Sequence, residues 1–228
     1  MNVVAVIVAG GPGKRLGADR PKALVEIGGV PLFLRSLRAV LAAPAVTSAV
    51  VVVPAGHEAE FEARLRGEPS RCPVTLVTGG AERQDSVRAG LAAAGDADLI
   101  AVHDAARPFV TAALVEEAIA AAAKHGAAVV AVPASDTVKQ VHPEGWIEAT
   151  PAREHLWLAQ TPQVFRAELL REAHARAASD GYVGTDDAAL VERLGARVYV
   201  VRGSDGNRKI TTAADLRWAE TEWGRKEF

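Results

Sequence analysis

Cysteine is almost missing from this 228-residue chain. Cys72 stands alone, so no internal disulfide can form and a reducing, cytoplasmic setting is expected. Methionine is also used once, and arginine outnumbers lysine, a bias that fits a heat-tolerant source and a GC-rich genome equally. No charge of one sign dominates. The net charge of -2 supplies no basic excess to displace counterions, so no nucleic-acid partner is expected. Long hydrophobic runs are lacking too. Each apolar stretch stops short of the ~20 residues a membrane span needs, so no membrane association is expected. The start of the chain has no basic segment followed by a long apolar one, so no signal peptide is expected. His57, His125, His142, His155 and His174 are scattered without metal-ligand spacing, and no Ser-His-Asp arrangement can be read. Asp186 and Asp187 lack the second carboxylate pair that glycoside hydrolysis would use.

What is present is an alternation of short apolar runs and helical stretches. Strands are expected at 3–9, 49–53, 74–78, 99–102, 127–132 and 197–201. Helices are expected at 31–42, 58–66, 83–94, 111–124, 167–178, 186–194 and from about 213. The helix at 31–42 has proline in its first turn, and Thr111 and Thr185 stand as N-caps of two others. Strands that are apolar throughout belong to a sheet covered on both faces, and strand–helix alternation makes that sheet mostly parallel. The hydrophobic fraction of 49% is enough for a sizeable core. With no linker, repeat or low-complexity segment, residues 1–228 read as a single domain. The alternation breaks at about 134–153, where 136–141 and 146–150 alternate apolar and polar around the turn His142-Pro143-Glu144-Gly145. This is a hairpin arm, marginal alone in water and therefore expected to pack on something such as a second subunit.

Ligands in parallel sheets sit at the carboxyl ends of the strands. Three polar loops leave strand ends here. In the first, Gly10-Gly11-Pro12-Gly13-Lys14-Arg15 runs on to Arg20-Pro21-Lys22. Glycines let backbone N–H groups approach phosphate oxygens and cations offset their charge, so this loop is suited to a polyphosphate. It is not a dinucleotide fingerprint, because Leu16 occupies the third-glycine position, and Arg15 after Gly13-Lys14 excludes a P-loop. In the second, His103-Asp104-Ala105-Ala106-Arg107-Pro108, the carboxylate and guanidinium suit a metal contact and a phosphate contact, or a local ion pair. His103 reads equally as catalytic or as a structural hydrogen-bonding group. In the third, Gly79-Gly80-Ala81-Glu82-Arg83-Gln84-Asp85-Ser86, the glycines admit a flat base and Ser86 can bond its edge, while Arg83 and Asp85 read as structural pairing residues. Late in the chain stand Thr161-Pro162-Gln163, Gly184-Thr185-Asp186-Asp187 and Asn207-Arg208-Lys209-Ile210-Thr211. Trp146, Trp157, Trp218 and Trp223 read as packing residues, and Cys72 as inert.

In this order and spacing, and together with Pro21-Lys22, Asp136-Thr137 and Leu156-Trp157, these segments resemble the 2-C-methyl-D-erythritol 4-phosphate cytidylyltransferases. The resemblance runs from the first strand to Lys209-Ile210-Thr211. It implies an α/β, Rossmann-like, mostly parallel sheet of the nucleotide-diphospho-sugar transferase type, with a projecting β-hairpin arm that clasps a homodimer. It implies CTP and 2-C-methyl-D-erythritol 4-phosphate as substrates, pyrophosphate as co-product, Mg²⁺ as cofactor and a place in the non-mevalonate route to isoprenoids. By resemblance, Arg15, Lys22, Arg153 and Lys209 are the catalytic residues. Ala9, Gly10, Gly11, Gly13, Gly80, Ser86, Asp104 and Ala105 bind the nucleotide. Asp104, Arg107, Thr137, Arg153, Thr161, Thr185 and Lys209 bind the acceptor. Asp104 is also the metal contact, and Thr137 and Arg153 reach the partner subunit's site. The chain departs from the family in having Gly10 where a second alanine is usual and Ala81 where an acid is frequent. Transfer to ribitol 5-phosphate and non-catalytic CTP sensing are the alternatives.

Overall fold

A computed structural model describes residues 1–11 and 20–226, with nothing to be said of the side chain of Lys226. In chain order its strands are β1 (Val3–Val8), β2 (Glu26–Ile27), β3 (Val30–Pro31), β4 (Val46–Val53), β5 (Val74–Thr78), β6 (Leu99–Asp104), β7 (Ala127–Pro133), β8 (Gln140–Val141), β9 (Ile147–Ala149), β10 (Trp157–Arg166) and β11 (Tyr199–Arg202). The helices are α1 (Leu32–Leu41), α2 (Glu58–Leu65), α3 (Arg83–Ala93), α4 (Ala112–His125), α5 (Ala167–Ser179), α6 (Asp187–Arg193) and α7 (Ala213–Lys226). Seven strands form one sheet in the order β11-β7-β10-β6-β1-β4-β5. All neighbouring pairs are parallel except those of β10, which is antiparallel to both β6 and β7.

The apolar strands are buried on both faces, as expected. In β1, Val3, Ala5 and Ile7 face a core closed by α1 and α4, whereas Val4 and Val6 face one closed by α3, α5 and α6. A third, smaller cluster packs Ile27, Leu32, Phe109 and Ile210 under α7, with Trp218 and Trp223 against it. Order in the sheet decides where a ligand can sit. The chain passes from β1 to β4 and β5 on one side, then returns through α3 to β6 on the other. The carboxyl ends of β1 and β6 are therefore the point at which strand order reverses, where a crevice opens in folds of this kind.

Three expectations needed correction. Strand β10 was not anticipated, because Pro162 lies within it and proline argues against a central strand. The pairing with β7 shifts register between Ala159 and Gln163, which is where Pro162 is accommodated. Strand β6 runs on through Asp104, so His103 and Asp104 sit on the strand rather than in the loop after it. Asp186, not Thr185, caps α6, its carboxylate accepting from Ala189 N–H at 2.9 Å. Thr111 caps α4 as expected, accepting from Leu114 N–H at 3.2 Å.

Helix α3 presses closely on the sheet because Gly90 has no side chain. A methyl at that position would lie 2.4 Å from Val6 Cγ1 and 3.0 Å from Val52 Cγ2. Alanine is the better helix former by up to ~1 kcal/mol, but overpacking a core typically costs ~1–3 kcal/mol. Gly90→Ala should therefore lower unfolding stability by about 1–2 kcal/mol in a urea titration. A variant at least as stable as the parent would show that the helix can lift off without cost.

Candidate active site

Two clefts open at the carboxyl ends of the strands. The larger, ≈ 410 Å³, is lined by Ala9, Gly10, Gly11, Lys22, Gly80 to Arg83, Ser86, Asp104, Ala105 and Lys209, among others. Beside it, a cleft of ≈ 250 Å³ is lined by Arg107, Gln160, Thr161, Gln163, Thr185 and Asp186. Arg83, Asp104 and Lys209 line both and form the wall between them. Segments far apart in sequence are drawn together by backbone bonds: Ala9 N–H to Val52 O at 2.8 Å, Gly79 N–H to Val53 O at 2.7 Å and Ala105 N–H to Val8 O at 3.1 Å.

Ser86, 2% exposed, is the point on which the glycines converge. A methyl on Gly79 would lie 2.6 Å from its hydroxyl and one on Gly10 3.2 Å. At Gly79 only a bare backbone fits, and at Gly10 an added methyl would press on Ser86. Helix α3 begins beside them with a capping box, in which the Glu82 and Asp85 side chains answer each other's backbone N–H.

The shared wall is ionic. Lys209 Nζ lies 2.6 Å from one Asp104 oxygen and Arg83 Nε 3.3 Å from the other. Arg83 also donates through Nη1 to Asp187 at 2.8 Å. Burial alone would push the Asp104 carboxyl upward, but Arg83, Lys209 and Arg107 outweigh it and hold the group well below the usual carboxylate range. Asp187 is lowered in the same way, burial being overcome by Arg83 and His174. The local Asp104–Arg107 ion pair weighed from sequence is not the arrangement found. Arg107 instead points its guanidinium at backbone, donating to Asn207 O at 2.7 Å and Ala159 O at 3.3 Å. This ties β10 to the loop carrying Lys209, and Asn207 adds a bond to Thr161 O at 2.9 Å.

His103 is structural. Fully buried, its ring meets Thr161 Oγ1 at 3.0 Å and Arg107 O at 3.2 Å. Burial drives its pKa down to about 4, so it is neutral at physiological pH and fixes Thr161, whose oxygen also accepts the Asp104 N–H at 3.1 Å. Arg83 and Asp85 do form pairing contacts, as read from sequence. No local pattern signals that Arg83 lines both clefts, because its partner Asp187 lies 104 residues away. Gln163, which donates to Asp186 at 2.8 Å, and Gln84, which accepts from Gly184 N–H at 3.0 Å, hold the Thr185 loop in place.

Of the residues expected at the site, Ala9, Gly10, Gly11, Lys22, Gly80, Ser86, Asp104, Ala105 and Lys209 line the larger cleft. Arg107, Thr161 and Thr185 line the smaller. Gly13 and Arg15 lie outside the described residues. Thr137 and Arg153 lie in neither cleft. They sit on the arm, where Arg153 is exposed and donates to Ser135 O at 3.0 Å. The arm forms over the expected stretch with shorter strands, β8 and β9, closed by His142 N–H to Trp146 O at 2.9 Å. Among the described residues no cluster of three or more His, Cys, Asp or Glu side chains is placed to hold a metal.

A glycine-lined strand exit at the switch point, next to a cation-bearing cleft, is an arrangement suited to a phosphorylated ligand in a Rossmann-like fold. The model of the family "2-C-methyl-D-erythritol 4-phosphate cytidylyltransferase" matches residues 3–224. Enzymes of that name are 46% identical over 219 residues in Symbiobacterium thermophilum, covering 96% of this chain and 91% of the relative, and 46% identical over 225 residues in Geobacter metallireducens, covering 96% and 97%. The crystal structure of the Thermus thermophilus enzyme is 38% identical, covers 97% of this chain and 98% of its own and superposes with a TM-score of 0.79. That of the 4-diphosphocytidyl-2C-methyl-D-erythritol synthase from Anaerococcus prevotii is 28% identical with a TM-score of 0.87, covering 98% and 96%. The chain belongs to the 2-C-methyl-D-erythritol 4-phosphate cytidylyltransferase family.

Proposed function

We propose that the chain joins CTP to 2-C-methyl-D-erythritol 4-phosphate, giving the cytidine diphosphate derivative and pyrophosphate, as a step of non-mevalonate isoprenoid synthesis. The observation that carries this reading is the pair of clefts with one ionic wall, Arg83–Asp104–Lys209, between them. Two anionic reactants would meet across that wall. An oxygen of the acceptor phosphate attacks the α-phosphorus in line, a new P–O bond forms, and the bond to pyrophosphate breaks. A phosphate monoester needs no base to activate it, in keeping with a neutral, buried His103. Repulsion between anions is the obstacle, and one cation–anion contact at about 4 Å is worth roughly 4 kcal/mol at an effective dielectric near 20.

Lys22 and Arg15 stabilise the transferring phosphate. Lys209 and Arg107 hold the acceptor phosphate with Thr161 and Thr185. Backbone groups at Ala9, Gly10, Gly11, Gly13 and Gly80, with Ser86, receive the nucleotide, and Asp104 and Ala105 meet its ribose. Mg²⁺ commonly binds through one or two carboxylates and the substrate's own phosphates, so the Asp104 carboxylate would suit it once Lys209, now on Oδ2, turns to the acceptor phosphate. Asp104 would hold the ion, which supplies neutralisation of phosphate charge when bound. The lone Cys72 is consistent with a cytoplasmic setting. Among the described residues no helix is long and apolar enough to cross a membrane.

The arm, residues about 134–153, is proposed to clasp a second copy of the chain and carry Thr137 and Arg153 to its site. Supporting this, Val141, Trp146 and Ile147 are 52%, 74% and 62% exposed on a two-stranded hairpin that has no core of its own.

Pyrophosphate release should be seen with CTP and methylerythritol phosphate and at most weakly with ribitol 5-phosphate. A stronger response to ribitol phosphate would reassign the acceptor, and CTP binding without release in either case would make the chain a sensor. Lys22→Ala should lower kcat by ~10²–10³ with the fold intact. A loss of tenfold or less would remove Lys22 from its assigned role. For the arm, mixing inactive Arg153→Ala and Lys22→Ala chains should restore part of the activity through hybrid dimers. No recovery would leave the arm without a part in the neighbouring site.

A further inference from the structure

Behind the wall that separates the clefts lies a pair of buried polar side chains that neither cleft exposes. His174 on α5 and Asp187 at the start of α6 are 2% and 1% exposed, and neither lines a cleft. His174 Nε2 donates to Asp187 Oδ1 at 3.0 Å. The ring's other nitrogen, Nδ1, is buried with no hydrogen-bond partner among the described residues, where Asp187 is this side chain's polar contact. Asp187 Oδ2 accepts from Arg83 at 2.8 Å, and Arg83 reaches Asp104 at 3.3 Å. Five elements are thereby connected, α5, α6, α3, β6 and the loop bearing Lys209, by successive polar side-chain contacts.

Stability is a poor explanation for this arrangement. Desolvating a carboxylate costs several kcal/mol, and apolar side chains of like volume often replace a buried ion pair without loss. The contacts do something an apolar core cannot. Arg83 is held at one end by Asp187, which fixes the direction from which its Nε meets Asp104. With Arg83 on Oδ1, the Asp104 carboxylate keeps its orientation and charge whichever partner occupies Oδ2.

We propose that Asp187, braced by His174, is a positioning residue that acts through Arg83 to orient Asp104 at the junction of the two clefts. The proposal rests on the functional reading above, because Asp104 must meet the bound nucleotide for its orientation to matter. Neither Asp187 nor His174 touches substrate. Their effect should appear in nucleotide affinity and in kcat/KM, and it should vanish when Asp104 no longer carries a carboxylate.

A double-mutant cycle tests this. CTP affinity is measured by calorimetry for the parent, Asp187→Asn, Asp104→Asn and the double variant, with melting temperatures to confirm folding. Asp187→Asn should weaken CTP binding about tenfold in the parent and less than threefold in the Asp104→Asn background, a coupling expected for groups in one network. Equal losses in both backgrounds, or no loss in the folded parent, would overturn the proposal. Should Asp187→Asn fail to fold, His174 gives a second route. His174→Gln keeps a donor toward Asp187 and should hold kcat/KM within threefold of the parent, whereas His174→Phe should lower it about tenfold. Identical values for the two folded variants would overturn the proposal. The parent's own pyrophosphate release, run alongside, reports separately on the functional reading.

Discussion

Asp104 is where the elements of the site meet. Its backbone ends β6 opposite Val8 of β1, and its N–H is bonded by Thr161 of β10. Its side chain is gripped by Arg83 of α3 and by Lys209 from the loop after β11. A charged group this deep, 7% exposed, is tolerated only when compensated. The sheet supplies the compensation by reversing its strand order here, which brings helix starts and loops from both halves of the chain to one rim. If that carboxylate were lost, Arg83 and Lys209 would face each other across the junction of the clefts without the group that joins them.

The same geometry bears on the proposed transfer between two anions. On the proposed reading, the groups that would meet the phosphates are held by bonds made before any ligand arrives. Arg107 is fixed by the backbone carbonyls of Asn207 and Ala159, and Thr161 by the buried ring of His103. Groups held in this way need little rearrangement when charge shifts during reaction, which is the condition for efficient electrostatic stabilisation. Beside the larger cleft, Gly10 and Gly79 crowd the Ser86 hydroxyl and leave room for backbone rather than side chain.

Much of this was legible in the sequence, for physical reasons. Apolar runs such as 3–9 and 127–132 reveal buried parallel strands because both faces must be covered. Glycines followed by cations suggest a phosphate loop, and the described glycines of that segment, Gly10 and Gly11, line the larger cleft. Most of the expected nucleotide residues therefore came together in the larger cleft. What stayed hidden was of two kinds. Strand β10 was obscured by Pro162, whose lack of an N–H is absorbed at a register shift that only tertiary pairing creates. The Arg83–Asp187–His174 line was invisible because its members are contributed by three helices, and no local pattern ties position 83 to position 187. Residues 12–19 lie outside the described part of the chain, so Gly13 and Arg15 rest on the sequence alone.

The most direct test is a crystal structure of the chain with CTP. The triphosphate should lie along Gly10 and Gly11 with Lys22 against it, the base should rest between Gly80 and Ser86, and the ribose should stand beside Asp104 and Ala105. A nucleotide bound elsewhere, with Lys22 turned to bulk water and the Arg83–Asp104–Lys209 wall untouched, would contradict the assignment of this crevice as the place of reaction.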